Sequence, residues 1–152
     1  MYAVFQIILP AVMFLDLFLP FLIAIPYKGY SHLNMALSVL GNSKSPLHPV
    51  YNIWQMVSGA VFVWAGYLAW SAFSGVYPVL SIVVFICLAV YGIGCEIISA
   101  LFPVNESKQT ITAASTIHAI FSVLGFLTLL FTPLFLGIMQ TGTAQLLNGI
   151  IS

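Results

Sequence analysis

Two carboxylates and one imidazole lie deep inside apolar sequence: Asp16, Glu96 and His118. An ionised side chain in hydrocarbon costs about 2.5–3.5 kcal/mol on insertion scales, so each must be paired, protonated or reached by water. Their depths agree. Counted from the ends of their apolar runs at about 1.5 Å per helical residue, Asp16 lies roughly 13 Å, Glu96 roughly 9 Å and His118 roughly 10 Å from one common membrane face. Asn52 and Gln55 fall in the first two turns of a further run, and Ser99 sits about one turn nearer that face than Glu96.

Helical spacing gathers these residues into stripes. Ser115, His118, Ser122 and Gly125 follow i, i+3, i+7, i+10; Asn52, Gln55 and Gly59 form a second stripe, and Gly92, Glu96 and Ser99 a third. Small residues let helices approach closely and polar ones must find partners inside a bundle, so burying the three stripes together creates a polar pocket open toward one face. Asp16, Asn52, Gln55, Glu96, Ser99, Ser115 and His118 are therefore candidates to bind a polar headgroup or relay protons. The competing reading of the same residues is hydrogen-bonded glue between helices.

Other chemistries find little support. No pair of His, Cys or carboxylate residues has zinc-ligand spacing on one helix, so no metal is expected. A haem held by two histidines on facing helices is not expected either, because His118 alone is placed within a span. There is no glycine-rich phosphate loop and no nucleophile elbow, and no cofactor is expected. Cys87 and Cys95 are roughly 12 Å apart along one helix, too far for a bridge within it, and read as small buried residues. His32 and His48 read as solvated loop residues. Asn105–Glu106–Ser107 matches a glycosylation sequon, in a very short loop.

The elements that must position these side chains follow from composition. Hydrophobic residues make up 62% of the 152 and charged ones only 4%, against about 25% charge in a soluble domain, so the apolar surface must face lipid. With zero net charge and no basic face, nucleic acid is not an expected partner. A helix needs about 20 apolar residues to cross, and four stretches qualify, near residues 3–25, 50–70, 76–102 and 111–138. They are continuous rather than alternating, which favours helices over a barrel. The expected fold is an all-α integral membrane bundle of four transmembrane helices in a single domain, residues 1–152. The first stretch has no basic n-region and contains Asp16 and prolines, so it reads as a retained span rather than a cleaved signal.

Boundaries carry their own signals. Tyr27–Lys28–Gly29 ends the first span after Pro26; Pro46 and Pro49 precede the second; Pro78 suits the first turn of the third and Pro103 stops it. Pro10 and Pro20 predict a kink in the first span. Between spans one and two, Leu33, Ala36, Leu37 and Leu40 recur at i, i+3, i+4, i+7, with Ser31 as N-cap and Gly41 at the left-handed C′ position, which predicts a short interfacial helix over 31–41. Trp64, Tyr67, Trp70 and Tyr77 form an aromatic belt at the opposite interface. The tail, 141–152, is too short to cross again. Lys28, Lys44 and Lys108 share one side, which the positive-inside bias places in the cytoplasm.

Ser38–Val39–Leu40–Gly41, then Pro46, Asn52 and Gly59, resemble a Ser-x-Leu-Gly … Pro … Asn … Gly pattern, and Phe102–Pro103, a polar turn and Ile117–His118 resemble a second signature. Together, over roughly residues 30–125, they resemble the bacterial membrane family filed as domain of unknown function 998. The resemblance implies a small multi-pass protein of the bacterial cytoplasmic membrane without an assigned reaction, and Ser38, Gly41, Asn52, Pro103 and His118 as its characteristic residues. Members resemble six-span proteins, whereas four spans are legible here; the resemblance thus implies a short member or a part of a longer chain, with self-association or a partner subunit covering the bundle.

Three functions are compatible with these observations. The polar pocket favours binding or moving a membrane lipid or small amphiphile. Few charges and short loops fit a structural or assembly subunit. A membrane-embedded enzyme acting on a lipid headgroup would use His118 as general base with Glu96 orienting it, but lacks a convincing nucleophile.

Overall fold

The apolar runs fold into helices α1 (Leu9–Ala24), α2 (His48–Phe73), α3 (Pro78–Leu101) and α4 (Ala113–Ile151). The structure is a computed structural model that describes residues 7–105 and 110–151; no strand occurs among them. Pro10, Pro49 and Pro78 occupy the first turns of α1, α2 and α3, where a missing N–H leaves no bond unmade. Three of the helices are long and apolar enough to cross a membrane, and α1, with 16 residues, is a shorter apolar helix. The chain is an all-helical, multi-pass membrane protein.

Some boundaries differ from the sequence expectation. α2 begins at His48 and runs to Phe73, and α4 continues without a break through the segment expected as a separate tail. Of the two prolines expected to disturb α1, Pro10 is in the first turn and Pro20 alone is interior; it has no N–H to give the Asp16 carbonyl four residues back. Residues 3–6 of the expected first span, Lys108, and Glu106 and Ser107 of the sequon lie outside the described residues.

The interfacial helix over 31–41 is corrected. A turn in which Asn34 and Met35 N–H groups bond the Ser31 carbonyl leads to an extended Ala36, and only then comes a five-residue 3-10 helix, Leu37–Gly41. Leu33 is 95% exposed while Val39 and Leu40 are buried with Ile23, Tyr27 and Tyr51. Packing of two adjacent residues onto α1 and α2 outweighs the four-residue periodicity of the leucines. Gly41 is not left-handed; among the described residues the one glycine with positive φ is Gly29, at 88°, in the turn that follows α1. Gly41 has another reason to lack a side chain, since a Cβ there would meet the Asn52 amide and the Tyr51 ring.

α1 packs on α2 and the 3-10 helix, α2 on α3, and α3 on α4, so the helices stand in a row with α1 and α4 as its arms. The row is tight where side chains vanish. A Cβ on Gly59 of α2 would collide with the Gly92 carbonyl of α3, and one on Gly125 of α4 would press on Cys95 and Tyr91. Backbones approach so closely only where both surfaces are small. Phe62, Ala65, Val84, Leu88, Tyr91 and Met139 fill the core around these crossings. At one end, Asn42 Nδ2 donates to the Val104 carbonyl at 2.6 Å, which binds the first loop to the third.

Candidate functional site

The arms enclose a cleft of about 610 Å3. α1 supplies Asp16 and Pro20, α2 supplies Trp54 and Gln55, α3 supplies Tyr91, Glu96 and Ser99, α4 supplies His118 and Ser122, and Ala36–Ser38 roof it. The outer rim is apolar. Met13, Leu17, Val123 and Phe126 line the cleft and are themselves 51%, 60%, 59% and 60% exposed, so the cleft opens sideways between α1 and α4 into the lipid-facing surface.

A change of helix type sets its polar floor. Residues Tyr91–Ile98 of α3 form a π-helix, a rare conformation often associated with function. In an α-helix Tyr91 and Glu96 would stand about 140° apart; a π turn of about 4.4 residues narrows that to about 50°. The Tyr91 hydroxyl accordingly comes to face the Glu96 carboxylate, and both residues are buried. Beyond the π stretch, Ser99 and Ser122 hydroxyls meet at 3.1 Å and join α3 to α4.

Asp16 is satisfied from α2. Trp54 Nε1 donates to Oδ1 at 2.6 Å and Ser58 Oγ to Oδ2 at 2.8 Å; the donors are four residues apart and share a helix face. His118 is held by the end of α3, with Nδ1 3.0 Å from the Phe102 carbonyl and 3.3 Å from that of Ser99. Carbonyl oxygens only accept, so Nδ1 carries the hydrogen, and Nε2 of the neutral ring keeps its lone pair. Glu96 therefore does not orient His118, which corrects the acid–base pairing expected from their similar depth; backbone carbonyls do.

Of the residues singled out in the sequence, Asp16, Gln55, Glu96, Ser99 and His118 line the cleft together. Asn52 does not: its Nδ2 donates to the Gly41 carbonyl at 3.2 Å and ties the 3-10 helix to α2. Nor does Ser115, which exchanges bonds with Thr112 at the start of α4 and lines a second hollow, of about 560 Å3, beside the third loop. Tyr51, Trp54 and Tyr91, the aromatic lining, escape a stripe search because large aromatics in apolar runs read as core. The five-residue step from Tyr91 to Glu96 is visible only once the π-helix is known. Among the described residues no three of His, Cys, Asp and Glu gather as metal ligands.

The family model described as protein of unknown function (DUF998) matches residues 10–151. No curated protein and no solved structure matches. The motif residues divide by position: Gly41 with Asn52, and Phe102 with His118, are the contacts that hold the loops onto the bundle, while Ser38 stands in the wall shared by both hollows.

Proposed function

The chain belongs to the family of unknown function DUF998, and from its cleft we propose that it binds or moves a lipid or other small amphiphile whose polar head enters near one leaflet. The observation that carries this reading is the cleft's two-part lining, with Glu96, Gln55 and His118 behind an exposed apolar rim that opens sideways. Ligand sites of this kind are concave, largely apolar and fitted with a few convergent polar groups. A sideways opening at membrane depth admits a hydrocarbon chain without carrying it through water.

Diazirine-bearing lipids with neutral, anionic and amine head groups, photolysed on the protein in bilayers, test the reading. Adducts should concentrate on Met13, Leu17 and Val123, and Ala119→Trp, which fills the cleft wall, should abolish them. Adducts spread evenly over outward residues such as Val57, Ile86 and Leu127 would sink it. In the second reading, a structural or assembly subunit, the polar groups are glue; the bonds that Asp16 receives from Trp54 and Ser58 of α2 favour it. The proposed setting is a bacterial cytoplasmic membrane, with the loop bearing Lys28 and Lys44 toward the cytoplasm by the positive-inside bias.

A further inference from the structure

Hydrogen-bonding groups in the cleft are unevenly spent. Asp16 and Glu96 bring four carboxylate oxygens, of which the described protein donors engage only some of the lone pairs. His118 Nε2 is an acceptor, because Nδ1 is committed to the backbone. Gln55 lines the cleft at 9% exposure and makes no side-chain hydrogen bond to any described residue, so its amide is open to what enters the cleft. Set against these acceptors, the Gln55 amide is the one uncommitted donor among the groups just named. The chain contains no arginine, and among the described residues no lysine lines the cleft.

An anionic phosphate would meet two carboxylates with no cation to receive it. A neutral alcohol would supply no counter-charge to an ionised carboxylate in a low-dielectric setting. A protonated amine supplies the missing positive charge and several N–H donors at once, and the rings of Tyr51, Trp54 and Tyr91 in the lining attract cations further. Resting on the amphiphile reading above, we infer that the cleft takes an ammonium-bearing amphiphile, its charged N–H group among Glu96, Gln55 and His118, its chain leaving over Met13, Leu17 and Val123 between α1 and α4.

The test uses the full chain in neutral phosphatidylcholine nanodiscs, with empty nanodiscs subtracted, and three twelve-carbon probes: dodecylamine, dodecanol and dodecyl phosphate. Dodecylamine should bind saturably, at least about tenfold more tightly than the other two, the size expected of one charged hydrogen bond. Glu96→Gln should remove that advantage and leave dodecanol unchanged; Gln55→Leu should weaken the amine several-fold. The comparison of probes on the unaltered protein needs no variant to fold. If dodecanol or dodecyl phosphate binds as tightly as the amine, or a folded Glu96→Gln keeps full amine affinity, the ammonium inference is overturned while the amphiphile reading stands. If none of the three saturates, both fall.

Discussion

Asp16 has two roles that its chemistry keeps separable. It lines the cleft, and it also receives Trp54 Nε1 and Ser58 Oγ from α2, one on each oxygen. Hydrogen bonds between membrane helices average about 0.6 kcal/mol and reach about 1.7, and these two have an ionisable acceptor at short distance. Trp54→Phe and Ser58→Ala should therefore each lower stability by about 0.6–1.7 kcal/mol, and both losses should shrink in an Asp16→Ala background, where their acceptor is gone. Denaturant unfolding in micelles measures this. Strictly additive losses would mean that Asp16 is not the shared partner. The depth of Asp16 was legible from its place in an apolar run, but its partners were not: a tryptophan in an apolar run carries no mark of its partner, and only the fold brings residues 38 and 42 positions apart into contact.

Close approach of backbones is the device that orders the helices. Gly59 on α2 faces Gly92 on α3, and Gly125 on α4 faces Cys95 and Tyr91, so α3 is gripped from both sides at the level of its π stretch. Gly59→Ala should cost about 1–3 kcal/mol by overpacking, because the obstacle is a backbone carbonyl that has no rotamer to change. Gly75→Ala, with nothing within 4 Å of the added carbon, should stay within about 0.5 kcal/mol. Equal effects in the two variants, read by thermal unfolding, would show that the α2–α3 crossing is looser than described. These glycines were legible because their spacing with Gln55, Glu96 and His118 is helical. The π-helix was not, since a stripe search presumes 3.6 residues per turn, and neither was the 3-10 helix, where Val39 and Leu40 answer to α1 and α2 rather than to local periodicity. Sequence thus located the polar depth and the small faces, while the orientation of Glu96 and the loop required tertiary packing.

At the scale of the whole molecule, the bond from Asn42 to Val104 places the first and third loops at one end of the bundle, and the exposed Trp64, Tyr67 and Trp70 mark the approach to the other. The cleft lies nearer the first end, roofed by Ala36–Ser38, so the side of the membrane facing those loops decides which leaflet feeds it. Lysine bias acts on loops near span ends, and Lys28 and Lys44 adjoin α1 and α2. An impermeant maleimide added to intact cells should therefore label Gly75→Cys and leave Ser43→Cys unlabelled until the membrane is permeabilised; both positions are exposed, whereas the native thiols Cys87 and Cys95 are buried and contribute a low background. The reverse pattern would move the cleft to the outer leaflet and turn the search for its ligand toward lipids found there. Equal labelling of both positions in intact cells would contradict the arrangement itself, because a chain that crosses between Ser43 and Gly75 along α2 cannot present both to one side.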